Sequence, residues 1–306
     1  MKNSAYADEV SLKCDGASGL INDVESKSSK QSSPLPFCLT SLQQYCSKRW
    51  GYTADEVLQS CQILYEQHKL ISYPRTDSRY LPRSMFPEAQ SVSRSIVQNL
   101  PSMVHAVTGA DFQHQPRCYK DEKVTAHHAI VPTSHISASM ENLKEKEYNI
   151  YEAVSIFFLA QFHEQFEFEQ TRVLIESKGE LFEAKGKVTL NPGWKQLFTS
   201  EEQYNPDDEK ESKSNNEETL LPPLAENDEV VIFSEDVEEK HTRPLPHYTD
   251  ASLLSAMDNI HRFIAEPKLK QIIKEGGIGT PATRASILSG AVDKGLSFRA
   301  SLVHSI

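Results

Sequence analysis

The segment Leu70-Ile71-Ser72-Tyr73-Pro74-Arg75-Thr76-Asp77-Ser78-Arg79-Tyr80-Leu81-Pro82 sets a tyrosine beside two arginines. Pro74 biases the residue before it away from helical geometry, so Tyr73 is expected near the end of an extended segment. A guanidinium cannot lose its charge, and its fork matches phosphate oxygens. A phenol in that setting is suited to attack a phosphodiester. A surface turn after a core strand accounts for the same residues, because most tyrosines serve packing.

Two other stretches offer polar chemistry. Asp121 to Thr133 contains His127 and His128 side by side. Adjacent positions do not face each other on a helix and alternate faces on a strand, and no third ligand stands nearby, so a metal site is not expected. His127 is a candidate phosphate contact; a hydrogen-bonded loop histidine is the plainer reading. In Gly276-Gly277-Ile278-Gly279-Thr280-Pro281-Ala282-Thr283-Arg284 a glycine turn precedes a helix opened by Thr280 or Pro281. The free N–H groups and macrodipole of such a helix favour an anion, with Thr283 and Arg284 in its first turns as further contacts. No Walker loop or dinucleotide fingerprint occurs, so neither ATP nor NAD is expected.

The elements that must position these groups follow from periodicity. Thr40 or Ser41 is expected to cap a helix carrying Leu42, Tyr45 and Cys46, with Gly51 as its stop. Thr53-Ala54-Asp55-Glu56 is a capping box, and behind it Val57, Leu58, Cys61, Leu64 and Tyr65 form one apolar stripe on a helix ending near Lys69. These two helices and the extended Tyr73 segment suit a helix-turn-helix or winged arrangement, or an ordinary helical hairpin. Further helices are expected at 87–100, 102–107, 147–162, from Tyr248 and around 269–273. Phe166 to Ile175 and Leu181 to Leu190 read as a hairpin turned at Lys178-Gly179, with another strand at Val230 to Phe233. Residues 26–34 read as a loop.

The formal net charge of -11 looks unfavourable for a phosphate-binding protein until it is located. Between Glu201 and Lys240 stand 15 acidic residues against 3 basic ones, and the remainder of the chain is close to neutral. That leaves room for a local basic groove, and residues 201–229 are expected to be a mobile acidic loop. Five cysteines, with no C-x-x-C pair, fit neither a disulfide framework nor a zinc ribbon and suggest a reduced setting. No apolar run approaches bilayer length, and Met1 to Leu20 hold no signal-peptide core, so a cytoplasmic protein without membrane contact is expected.

Taken in order, Pro34-Leu35-Pro36-Phe37, Leu42-Gln43, Leu64-Tyr65-Glu66, the Tyr73 segment, His127-His128-Ala129-Ile130-Val131-Pro132-Thr133, Tyr248-Thr249-Asp250-Ala251-Ser252-Leu253-Leu254 and Gly277 to Arg284 resemble the type IA DNA topoisomerases, within them the bacterial topoisomerase III group. The resemblance implies an α+β fold: a mainly helical, winged-helix-like tyrosine domain at 37–147, an antiparallel β arch at 148–247 and a truncated helical DNA-binding base at 248–306. Residues 19–36 would add an arch strand and linker, and 1–18 a disordered tail. It further implies that Tyr73 is the nucleophile joined to a 5′ phosphate, that Arg75 and His127 attend the scissile phosphate, and that Arg79, Thr280, Thr283 and Arg284 contact single-stranded DNA. The family uses Mg2+ held by Toprim carboxylates, and nothing before Tyr73 resembles a Toprim domain. A fragment is therefore expected, inactive alone and completed by a separate Toprim-containing chain, in the cytoplasm and near the nucleoid. A free phenol has a pKa near 10, so activation must come from elsewhere. Two other readings stand beside it, a non-catalytic winged-helix module binding single-stranded DNA and an acidic interaction protein acting through 201–229.

Overall fold

The computed structural model describes residues 4–198, 220–233, 237, 241, 247–273 and 277–295. Most of the expected acidic loop lies outside them. The chain divides into two units: one of residues 1–32, 164–196 and 213–246, the other of 33–163, 197–212 and 247–306.

The first unit is built on an antiparallel sheet of β1 (Ser18–Gln31), β2 (Phe166–Ser177), β3 (Glu180–Asn191) and β4 (Glu229–Val231), in the order β3-β2-β1-β4. Lys178 and Gly179 both have positive φ, 53° and 79°, the geometry that turns a tight hairpin in the sense of the strand twist. β1 pairs with β2 from Leu20 to Gln31 with a bulge between Ile21 and Asp23, so the expected loop at 26–34 is instead mostly strand. Its Ser and Lys residues are poor strand formers, and the ladder to β2 overrides their preference. Residues 4–14, expected to be a disordered tail, form helix α1 (Ser4–Cys14). Tyr6 and Lys13 both bond Glu180, and Cys14 is buried with Ile21 and Val173, so long-range contacts stabilise a segment whose composition gave no helical stripe.

The second unit is helical: α2 (Leu39–Trp50), α3 (Ala54–Glu66), α4 (Ala89–Asn99), α5 (Val104–Thr108), α6 (Glu145–Leu159), α7 (Asp250–Asp258), α8 (Pro267–Ile273) and α9 (Pro281–Asp293). Helix α2 begins two or three residues earlier than expected. Cys38 is its N-cap, and its N–H bonds the Ser41 hydroxyl at 3.0 Å. Gly51 ends it at φ 70°, and the Thr53/Glu56 capping box opens α3 as the sequence indicates. Phe37, Tyr45 and Phe157 centre the core. Phe37 lies 4.1 Å from Phe157 and 5.4 Å from Tyr45 between ring centroids. Burying each such side chain contributes about 1.5–3 kcal/mol. A second cluster, Ala54, Leu254, Met257, Ala285 and Leu288, packs α7 and α9 onto α3.

The tyrosine segment, α6 and the helices from residue 247 onward belong to one unit. The coarse expectation of segregated helices and an antiparallel sheet describes the fold. In place of wing strands, the described part of this unit has three isolated bridges, Phe37 to Ile130, Ile71 to Pro132 and Leu81 to Tyr119.

Candidate active site

Helix α3 ends at Glu66, and Lys69, at φ 56°, redirects the chain into the Tyr73 segment. Leu70 and Ile71 are buried, which anchors the start of the segment in the core. Two separated stretches then zip together. Ser72 N–H bonds Val131 O at 2.9 Å, and Thr133 N–H bonds Leu70 O at 3.0 Å. The Ser72 hydroxyl donates to Ala129 O and accepts from Val131 N–H, each at 3.0 Å. Further along, Thr76 Oγ1 donates to His127 O at 3.1 Å and accepts from Ser78 N–H at 3.1 Å. The Ser78 hydroxyl reaches Lys123 O, and Thr125 bonds Asp77. Nearly every small polar residue of the segment is therefore used to hold the 123–133 loop.

The consequence is a ring pair. Tyr73 and His127 lie 4.5 Å apart between centroids, with planes inclined at 49°. Tyr65, from the last turn of α3, packs edge-on against Tyr73 at 5.5 Å. Tyr73 is half-buried, whereas Arg75 and His127 are exposed. Among the described residues, neither the Tyr73 hydroxyl, the Arg75 guanidinium nor the His127 ring has a hydrogen-bond or ion-pair partner. Such groups keep their full capacity for an incoming anion. His128, by contrast, points Nδ1 at Ala129 O, 2.8 Å away, which separates the roles of the two adjacent histidines.

The other expected DNA contacts fare differently. Arg79 donates from Nε to Pro36 O at 2.9 Å and from Nη2 to Leu35 O at 2.7 Å. It fixes the segment entering α2 through two of its guanidinium nitrogens. Arg284 is likewise spent on the protein: it is only 4% exposed and its Nη1 pairs with Asp258 at 2.5 Å. These carbonyl and carboxylate partners lie outside what residue spacing shows. Thr280 and Thr283 are exposed at the start of α9, where Thr280 is the N-cap and its N–H bonds Thr283 Oγ1 at 2.8 Å. Among the described residues no hydrogen bond or ring contact links them to Tyr73. Sequence reasoning missed Ser72, Thr76 and Tyr65 as supporting groups, although all three stood in the motifs.

Among the described residues no group of three or more His, Cys, Asp or Glu side chains is arranged to hold a metal ion. The donors present do not fit a magnesium site. No described helix is long and apolar enough to cross a membrane.

Residues 1–303 match the family described as DNA topoisomerase. DNA topoisomerase 3 of Vibrio cholerae is 35% identical over 295 residues, covering 96% of this chain and 44% of the relative. The protein of the same name from Salmonella typhimurium is 38% identical over 284 residues, covering 92% and 42%. The chain thus spans less than half the length of these curated relatives. A solved structure of full-length topoisomerase I from Thermotoga maritima superposes with a TM-score of 0.67 at 20% identity, over 98% of this chain and 44% of that one, a likeness of fold. With the Tyr73 and His127 motifs brought side by side and the match running along nearly the whole sequence, the chain belongs to the type IA DNA topoisomerase family and is similar to the topoisomerase III members within it.

Proposed function

We propose that this chain supplies the tyrosine half of a single-strand DNA breakage and rejoining site. The observation that carries this reading is the Tyr73 and His127 ring pair at 4.5 Å, whose polar atoms, like those of Arg75, are left without partners among the described residues. The Tyr73 phenolic oxygen attacks the phosphorus of one strand and loses its proton. The bond from phosphorus to the 3′ oxygen breaks, and that oxygen leaves as a hydroxyl after taking up a proton. Attack by the same hydroxyl reverses the step. One phosphate ester replaces another, so no nucleotide triphosphate is consumed. Arg75 stabilises charge on the non-bridging oxygens, where a fixed cation acts most strongly away from bulk water. His127 donates a hydrogen bond to the same phosphate.

Single-stranded or underwound DNA is the substrate, with Thr280 and Thr283 contacting the strand at the N-terminus of α9. Magnesium belongs to the family chemistry, and its ligands would come from the Toprim domain. A separate Toprim-containing chain supplies the remaining groups, the sheet of the first unit forms part of the arch through which a second strand passes, and the complex works in the cytoplasm near the nucleoid.

The test is relaxation of negatively supercoiled plasmid in magnesium buffer. The purified chain alone is expected to leave the plasmid supercoiled, and addition of a Toprim-domain fragment of a DNA topoisomerase 3 to relax it. Absence of relaxation over a wide range of fragment concentrations contradicts the split-site reading. Relaxation by Tyr73→Phe contradicts the assignment of the nucleophile.

A further inference from the structure

Arg284 does more than fill a hole in the helical unit. Its Nε donates to Ile278 O at 3.0 Å, and Nη2 lies 3.4 Å from Gly279 O. The turn at Gly277 and Gly279, with φ of 64° and 66°, is wrapped around this guanidinium. A Cβ on Gly277 would come within 2.9 Å of both Arg284 Nη2 and Met257 O, so the turn closes only on glycine. From the other side, Arg284 Nη1 donates to Thr40 Oγ1 at 3.0 Å in a buried contact and pairs with Asp258.

Thr40 stands in the first turn of α2, beside the residue on which the tyrosine segment docks. Leu39 N–H bonds Thr76 O at 3.1 Å, and Thr76 Oγ1 bonds His127 O at 3.1 Å. A short path therefore runs from the turn that opens α9, through Arg284, to the start of α2 and on to the backbone of His127. The contacts of Arg284 fall on the starts of two helices, α2 and α9, and a single fork geometry serves both.

We propose that Arg284 is a positioning residue that couples the DNA-contacting start of α9 to the placement of His127 against Tyr73. The proposal rests on the functional reading above. Arg284 touches no reacting atom. It holds the α9 turn and the α2 start in one relative position, so that occupancy of one is felt at the other.

The experiment uses the full chain labelled with 13C-histidine, the His127 signal being identified by its loss in His127→Gln. With an aromatic ring 4.5 Å away, that signal carries a ring-current shift that reports the pair directly. Thr40→Val removes the hydroxyl and keeps the volume, and Arg284→Lys keeps the charge and removes the fork. Both variants are expected to move the His127 signal in the DNA-free protein while that of His163 stays in place. In wild type an oligothymidylate strand should move it again, and in Thr40→Val that response should disappear. Arg284→Lys should also weaken oligothymidylate binding by roughly five-fold or more, the low end of ordinary coupling between sites. An unmoved His127 signal in Thr40→Val overturns the proposal, whether or not Arg284→Lys folds. Failure of the wild-type chain to bind oligothymidylate overturns the functional reading instead, and the DNA-free spectra still decide the coupling.

Discussion

Tyr73 and His127 meet ring to ring because the serine that precedes the tyrosine is bonded to the loop that follows the histidine. The Ser72 hydroxyl closes this contact as donor to Ala129 O and acceptor from Val131 N–H. Ser72→Ala leaves a backbone carbonyl and an N–H without that partner in a partly buried place, a loss of about 1–3 kcal/mol. The urea midpoint of unfolding should fall accordingly, and the Tyr73 and His127 pair should loosen with it.

Arg75 and Arg79 are four residues apart and do opposite work. Arg75→Ala removes no hydrogen bond or ion pair among the described residues and should leave the unfolding midpoint unchanged. On the proposed mechanism it should slow cleavage in the reconstituted enzyme by roughly 100- to 1000-fold, as removal of one transition-state donor does. Arg79→Ala strands the carbonyls of Leu35 and Pro36 and should lower stability by roughly 1.5–3 kcal/mol. Chemical denaturation of the two variants side by side separates the roles.

How much of this was legible in the sequence follows from the range of the forces involved. The Thr53 capping box, the Lys178-Gly179 turn and the apolar stripe of α3 are local, and they stand where the spacing put them. Tyr73, Arg75 and His127 could be singled out by residue type and motif. Their convergence could not be read from spacing, because it depends on bonds between segments far apart in the chain. Arg79 and Arg284 show the limit most clearly: an arginine near a candidate nucleophile, or one in the first turns of a helix, reads as a phosphate ligand until the carbonyls or carboxylate it bonds are located. Helix α1 escaped notice for the same reason, since Glu180, which holds Tyr6 and Lys13, lies on a distant strand.

The capping box makes part of the stability depend on pH. Glu56 is held below its ordinary value of 4.5, first by Lys146, which bonds it across from α6, and then by the Thr53 N–H. Its folded-state value is thus lower than its unfolded one. The associated stability is fully present above about pH 4.5 and is lost as pH falls through the lowered folded value. Glu56→Gln should flatten the acid limb of the stability profile, and Thr53→Ala should cost about 1 kcal/mol at neutral pH. Urea midpoints measured from pH 7 down to the acid transition check both.

The cysteines should differ sharply in reactivity. Burial pushes the Cys61 and Cys118 thiols up to about 12 and raises that of Cys46 well above its ordinary value. Cys14 is buried too, and Cys38 is the partly exposed member of the set. Since the thiolate is the reacting form, iodoacetamide at pH 8.5 should label Cys38 first. Peptide mapping after brief exposure reads this, and rapid loss of Cys46, Cys61 or Cys118 would indicate that the helical unit opens.

The most direct measurement concerns the polarity of the covalent bond. A single-stranded oligonucleotide labelled at either its 3′ or its 5′ end is incubated with the chain, the Toprim-domain fragment and magnesium, then denatured and resolved by electrophoresis. Attack by Tyr73 leaves the downstream piece on the protein through its 5′ phosphate, so the 3′ label should travel with this chain, the 5′ label should not, and Tyr73→Phe should carry neither. Transfer of the 5′ label, or an undiminished adduct in Tyr73→Phe, would contradict the account.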